Sequence, residues 1–301
     1  MGYQHLLIQS EVELSIKRDQ LLIKTDGGDI SYPIEDLDAV LIENRRVRWS
    51  VAVPARLAEA GCAVYLCDEK HLPCCVLQPF AQYYKQLSTY KLQQELTEPR
   101  KKRLWQQIVE QKLRNQGACL QQMGNSMAAE KLSNMAKQVL SGDTGHMEAA
   151  GAAYYFPQLF GEAFIRGEEE DGRNAALNYG YAIIRGCFAR TLALYGFLPQ
   201  LGLQHHSELN AFNLADDLIE PFRPVVDLFV AGNISEEDEL QPAHKKQLFD
   251  LLAAEVLVDG KRQSVSHAVE LEVQSLLRCM SDKNATLTLP VLRELRRHQY
   301  A

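Results

Sequence analysis

The hydrophobic period of this chain changes once, and that change divides what the chain can fold into. Up to about residue 78 apolar residues alternate with polar ones; beyond about residue 100 they recur at helical spacing. Val12, Leu14 and Ile16 alternate with Glu13, Ser15 and Lys17, the pattern of a half-buried strand. Leu21 to Thr25 reads as a second strand. Asp26-Gly27-Gly28-Asp29 turns the chain tightly into a third, residues 30–34. Ala39 to Ile42 is a short apolar strand. Ser50 is placed to cap a helix running through Pro54 and Leu57 to Ala60, closed by Gly61. Cys62 to Leu66 returns as a buried strand. Residues 1–78 are therefore expected to form a small sheet domain with one short helix.

Residues 79–100 are polar, rich in Gln and Tyr, and contain Pro79 and Pro99; they read as a linker with some helix. The rest of the chain carries amphipathic stripes. Trp105, Ile108, Val109 and Leu113 make one, and Leu177, Tyr181, Ile184, Phe188 and Leu192 a longer one. Leu248, Leu251, Leu252 and Val256 make another, ended by Gly260, and Val269, Val273, Leu276, Leu277 and Met280 follow. Gly180 and Gly186 weaken the long helix, and their expected use is close helix packing. GEEEDG at 167–172 reads as an exposed loop. The expected fold class is α+β, a β-rich N-terminal domain (1–78) followed by a larger, all-α domain (101–301).

With 301 residues, 46% of them hydrophobic, the chain can bury a substantial core. No apolar run reaches membrane-spanning length. The opening MGYQHLLIQSEVEL lacks a basic region followed by an apolar one, so no signal peptide is expected, and Leu6 stands where myristoylation prefers Ser or Thr. Seven scattered cysteines without a CxxC pair point to reduced thiols and a cytoplasmic setting. The formal charge of −7 argues on average against a nucleic-acid partner. Local basic clusters leave a positive groove open: Arg45, Arg46 and Arg48; Arg100-Lys101-Lys102-Arg103; His244-Lys245-Lys246; and Arg293, Arg296 and Arg297.

The chemistry concentrates in GLQHHSELNAFNLADDLIEPFRPVVD, residues 202–227. His205 and His206 precede Asp216, Asp217 and Glu220, and Arg223 follows. Helical spacing puts Glu220 on the same face as both aspartates. Acids so placed repel unless a cation sits among them, and either a divalent metal or Arg223 would serve. Pro221 and Pro224 would interrupt a regular helix, and apolar residues interleave with the acids. A metal site also needs ligands from another element. Glu148, in the small-residue stretch GDTGHMEAAGAAYYF (142–156), is the candidate; the same stretch also reads as a packing helix with one exposed acid.

Five segments, in order, carry a resemblance: SYPIEDLDAVLIEN, LAEAGCAVYLCDEKHLPCCVLQPF, LWQQIVEQKLRNQ, NAALNYGYAIIRGCFART and LGLQHHSELNAFNLADDLIEPFRP. Over nearly the whole length the chain resembles the CRISPR-associated protein one family, integrases that insert new spacers into CRISPR arrays, and the last segment is closest to the version carried by type II systems. The resemblance implies three metal ligands. The family's glutamate, shortly before an aromatic pair, falls on Glu148, ahead of Tyr155 and Phe156. Its histidine falls on His205 rather than His206, and its acidic ligand on Glu220, with Asp217 a second candidate. One departure stands out: Ala149 and Ala153 stand where the family commonly has a glycine and a basic residue, so a nearby phosphate contact is missing or supplied elsewhere.

Such a ligand set suits Mg2+ or Mn2+. The implied reaction is transesterification, with the 3′-hydroxyl of a prespacer DNA attacking the CRISPR repeat; water in its place would make a nuclease. The implied partners are double-stranded or branched DNA, a second copy of the chain joined through the N-terminal sheet domain, and the small companion CRISPR-associated protein two in a heterohexameric complex, all in a prokaryotic cytoplasm. Two other readings are carried alongside: a metal-free helical DNA-binding scaffold, and a metallohydrolase of small phosphoesters.

Overall fold

The computed structural model describes residues 4–25, 27–69, 71–77, 85–168 and 170–299. They fall into two compact units, one ending at residue 77 and one spanning 85–299.

The first unit is strand-rich. Its elements are β1 (Gln4–Ile8), β2 (Glu13–Lys17), β3 (Gln20–Thr25), β4 (Gly28–Pro33), β5 (Leu37–Ile42), β6 (Arg48–Trp49), α1 (Ala52–Glu59), β7 (Ala63–Cys67) and β8 (Pro73–Leu77). They make two four-stranded sheets, ordered β1-β5-β7-β8 and β4-β3-β2-β6. β5 is buried along its whole length because parallel neighbours flank it on both sides, β1 and β7. β2 and β3 pair antiparallel with Leu14 opposite Ile23, so their alternating apolar residues share one face. Leu14, Leu21, Val40, Val53, Leu57 and Val64 meet in the core between the sheets and α1. Ser50 contributes its carbonyl, which accepts from Val53 N at 3.0 Å; its side chain does not cap the helix. Asp26, in the expected tight turn, lies outside the described residues.

The second unit is mainly helical: α2 (Gln86–Gln94), α3 (Glu98–Gln122), α4 (Ser126–Ala136), α5 (Met147–Phe160), α6 (Gly172–Leu194), α7 (Asn213–Leu218), α8 (Arg223–Asn233), α9 (Pro242–Asp250), β9 (Ala254–Val258), β10 (Lys261–Ser264), α10 (Val265–Ser281) and β11 (Val291–Arg297). Of the stretch 79–100, residues up to 84 lie outside the described residues; the rest carries α2 and the first residues of α3. The long central stripe is α6, whose Leu177, Tyr181, Ile184, Phe188 and Leu192 are all buried. A Cβ on Gly180 would stand 2.5 Å from Val226 Cγ1, so α6 and α8 pack as closely as the glycine predicted. Asp171 ends the acidic loop by capping α6, accepting from Arg173 N at 2.8 Å. No described helix is long and apolar enough to cross a membrane.

The second unit departs from the all-α expectation in one place. The stripe from Leu248 to Val256 is not one helix: α9 stops at Asp250, and β9, β10 and β11 form an antiparallel sheet ordered β10-β9-β11. Asp259 and Gly260 both have positive φ, 49° and 75°, and join β9 to β10 as a two-residue hairpin. That turn, not a helix C-cap, is what the Asp-Gly pair encodes.

Candidate functional site

Two interrupted segments and one long helix of the second unit build the site. α5 begins where it does because Asp143 accepts from Met147 N at 2.8 Å and from Glu148 N at 3.0 Å, satisfying two donors of the first turn. Glu148 thereby sits in that first turn, where the helix dipole favours a carboxylate. α5 lies close against α3: a Cβ on Gly151 would stand 2.2 Å from Leu113 Cδ2. The flanking alanines, Ala149 and Ala153, are exposed.

The acidic segment breaks as its prolines require. α7 ends at Leu218, a single 3-10 turn spans Glu220–Phe222, and α8 starts at Arg223 with Pro224 in its first turn. The break separates the three acids. Asp217 is fully buried and Glu220 nearly so, while Asp216 is half-buried and accepts from Asn210 Nδ2 at 2.6 Å.

Glu148 and Glu220 meet on one residue that the sequence reading had not singled out. Lys112 Nζ lies 2.9 Å from Glu148 Oε1 and 2.5 Å from Glu220 Oε2. Its side chain is 7% exposed, against 5% for Glu220 and 31% for Glu148. Arg223 adds a second cation, donating from Nε to Glu220 Oε1 at 2.8 Å while its guanidinium lies 4.5 Å from the Tyr181 ring centroid. Burial alone would raise the Glu220 pKa, but Arg223 and Lys112 outweigh it and hold the carboxyl at about 2. Burial would likewise lower the Lys112 pKa, and the charges of Glu220 and Glu148 instead keep it above the ordinary value.

His205 joins this group from a loop that Asp217 organises. Asp217 Oδ1 accepts from His205 N at 3.1 Å and pairs with its Nδ1 at 2.7 Å; Oδ2 accepts from Leu203 N at 2.5 Å and Gln204 N at 3.1 Å. These four contacts occupy Asp217, so in this structure it positions His205 rather than standing free as a ligand. The loop can wrap the carboxylate because residue 202 is glycine: a Cβ there would lie 2.3 Å from His205 O and 2.8 Å from Asp217 Oδ2. With Nδ1 on Asp217, Nε2 is the nitrogen left to act. The ring packs edge-on against Trp105, centroids 5.9 Å apart. The Asp217 hydrogen bond raises the His205 pKa; burial opposes it, and the charges of Asp217, Glu220 and Glu148 add to it. His206 points elsewhere, lining a groove of about 660 Å³ with Gln200 and Asn210.

A second buried layer lies two helical turns along the same three segments, seven residues on in each: Cys119, Tyr155 and Asp227. The Tyr155 hydroxyl donates to Asp227 Oδ2 at 3.1 Å, and the Tyr181 hydroxyl donates to Oδ1. Burial raises the Asp227 carboxyl to about 6, with the tyrosines and Arg223 opposing. This layer ties α5, α6 and α8 together beneath the two glutamates.

Among the described residues no three His, Cys, Asp or Glu side chains already stand grouped for a metal ion. The donors nevertheless fit one chemically. Two carboxylates converge on a single cation, and an imidazole fixed through its other nitrogen lies close enough for both to raise its pKa.

A sequence profile described as "CRISPR associated protein Cas1" matches residues 6–265. The chain is also 45% identical over 304 aligned residues, the full length of both proteins, to the CRISPR-associated endonuclease Cas1 of Neisseria meningitidis. This chain belongs to the Cas1 family. Its fold recurs in two solved structures of low sequence identity. One is a casposase bound to integration product, with a TM-score of 0.76 at 19% identity, covering 95% of this chain and 92% of that one. The other is a chain of a partial Cas6-RT-Cas1–Cas2 complex, with a TM-score of 0.65 at 18% identity, covering 98% of this chain and all of that one. Within this Cas1-family chain the expected residues Glu148 and Glu220 share one ammonium, and His205 is held on Asp217. Lys112, Asp143 and the Tyr155–Asp227 layer had not been picked out. Lys112 had a signal: it lies seven residues after Trp105, on the apolar stripe of α3, where a lysine needs buried partners.

Proposed function

We propose that this Cas1-family endonuclease is a divalent-metal-dependent DNA integrase that inserts prespacer DNA into a CRISPR array in a prokaryotic cytoplasm. The observation that carries the reading is the meeting of Glu148 and Glu220 on one buried cation. Hard carboxylate oxygens with one imidazole nitrogen suit Mn2+ or Mg2+, and Glu148, Glu220 and Nε2 of His205 would hold the ion. Such an ion, when bound, polarises a phosphoryl oxygen and stabilises charge on the departing 3′ oxygen. The chain does the rest. Asp217 keeps the His205 ring in place, Arg223 keeps Glu220 ionised, and Trp105 backs the ring. In strand transfer the prespacer 3′-hydroxyl forms a new P–O bond as the repeat's P–O3′ bond breaks, and the released 3′ oxygen takes up a proton. Water as nucleophile gives cleavage instead. The solved Cas6-RT-Cas1–Cas2 complex supports a small companion protein two as partner; in this reading the two assemble as a heterohexamer. In this reading a second copy of the chain pairs through the N-terminal sheet unit.

Strand transfer and cleavage of branched DNA test the reading, with Mn2+ and with chelator, on Glu148→Ala, His205→Ala and His206→Ala. Chelation, Glu148→Ala and His205→Ala should each lower the rate by more than about a hundredfold, beyond what loss of an outer partner costs. Circular dichroism should show an intact fold. His206→Ala should keep most activity; equal loss from both histidine variants would contradict the ligand assignment. One observation favours a metal-free scaffold instead: Lys112 and Arg223 together already neutralise both glutamates. DNA bound but never cut, with or without Mn2+, would establish that alternative.

A further inference from the structure

We propose that Lys112 is a resident cation that keeps the two glutamates paired in the metal-free protein and must leave them when a divalent ion loads. This rests on the metal reading above and adds how loading is controlled. Glu148, Glu220, Lys112 and Arg223 form a connected cluster, two anions and two cations, so its formal charge is zero. Lys112 and Glu220 at its centre are buried. A divalent ion entering beside both cations places an unbalanced positive charge where solvent screens little. The ammonium and the ion also compete for the same oxygens, Glu148 Oε1 and Glu220 Oε2. Metal loading therefore requires Lys112 to swing away. A phosphodiester arriving with the metal brings negative charge that restores the balance, so DNA and metal strengthen each other's binding. Lys112 lies mid-helix on α3, whose backbone is fixed by its packing on α4 and α5, so the movement falls to the long side chain. In this account the site is preformed but takes free metal only weakly until DNA is present.

Mn2+ affinity, measured by calorimetry without DNA, tests the proposal on the full-length wild type and on Lys112→Met, Lys112→Arg and Glu148→Gln. Lys112→Met should bind Mn2+ at least about tenfold more tightly than wild type. Its metal-free melting temperature should fall by several degrees, because Glu148 loses its ammonium partner and buried Glu220 keeps only Arg223, and Mn2+ should restore it. Lys112→Arg keeps the charge and should bind as weakly as wild type. Unchanged or weaker Mn2+ binding by Lys112→Met would overturn the proposal. The wild type supplies a measurement that needs no variant. Amine acylation read by mass spectrometry should find Lys112 protected without metal and reactive when Mn2+ is saturating; continued protection at saturation would equally overturn it. If wild type and Glu148→Gln bind Mn2+ alike, the metal reading itself fails. If Glu148→Gln loses binding while Lys112→Met gains none, only the role of Lys112 fails.

Discussion

Glu272 is wholly buried on α10, and neither carboxylate oxygen has a hydrogen-bond partner among the described residues. Burial pushes its pKa well above the ordinary 4.5. In the unfolded chain the group ionises at the ordinary value, so between the two values the folded state binds the extra proton. Its contribution to stability is complete below pH 4.5 and is lost as pH rises towards the folded value. Each tenfold difference in proton affinity is worth about 1.4 kcal/mol. Glu272→Gln keeps the shape and removes the ionisation. The variant should be more stable than wild type by at least about 1 kcal/mol near pH 8, with the difference vanishing near pH 4. Urea denaturation across that range is the measurement, and a pH-independent difference would show that burial does not perturb the carboxyl. The contrast with Glu220 is instructive. Both are buried glutamates, yet Glu220 is held ionised because Lys112 and Arg223 reach it.

At the scale of elements, the site depends on how closely α3 and α5 approach. Gly151→Val puts branched carbon where Leu113 already lies, since even a Cβ would be 2.2 Å from Leu113 Cδ2. Overpacking of this kind costs about 1–3 kcal/mol. It should also move Glu148 away from Lys112, so thermal melting and Mn2+ binding should both weaken; a variant with a lowered melting point and unaltered Mn2+ binding would separate the helix contact from the site. The glycine and alanine run around Glu148 made this closeness legible in the sequence, as Gly180 did for α6 and α8. The alternating strands β2 and β3 and the stripes of α3, α6 and α10 were legible for the same reason: each period is local. What was not legible is non-local or ambiguous. The pairing of β5 with β1 and β7 joins segments far apart in sequence, so nothing in any one of them announces it. Leu248, Leu251, Leu252 and Val256 satisfy a helical period by chance of spacing, and only the Asp-Gly turn marked the strand. At the site, the positions of Glu148, His205 and Glu220 came from the resemblance. Lys112 stood in a quoted motif but read as one more charge on a helix, because its partners lie on other elements. Asp217 shows the reverse case, an expected second candidate whose oxygens are taken up by the His205 loop.

For the whole molecule the question raised by the proposed function is how a chain with 39 acidic and 32 basic residues would bind DNA. The basic clusters are not equivalent once folded. Arg100 is consumed inside the second unit, donating to the carbonyls of Cys279, Asp282 and Ala285 at 3.1, 3.1 and 2.7 Å. Lys101 pairs with Glu98 at 2.8 Å. The C-terminal arginines differ: Arg293 and Arg296 are exposed on β11 and line a groove of about 520 Å³ with Arg262, Gln121 and Gln122. Among the described residues Arg296 pairs with the exposed Glu294, and such surface pairs are weak enough to exchange for a phosphate. Each phosphate neutralised releases counterions and adds roughly −0.9 to the slope of log K against log salt on duplex DNA. Binding of branched DNA should therefore weaken steeply across a salt series, and more tightly bound complexes should form with the companion protein present. Replacing both Arg293 and Arg296 by Ala should make the slope shallower by about 1.8, the value for two lost phosphate contacts. Arg100→Ala should lower the melting temperature and leave the slope unchanged. Fluorescence anisotropy over the salt series measures both. If the double variant keeps the wild-type slope, the β11 groove does not carry the DNA backbone. The contacts then lie with the remaining arginines, including Arg45, Arg46 and Arg48 of the first unit, each within 4 Å of an exposed glutamate.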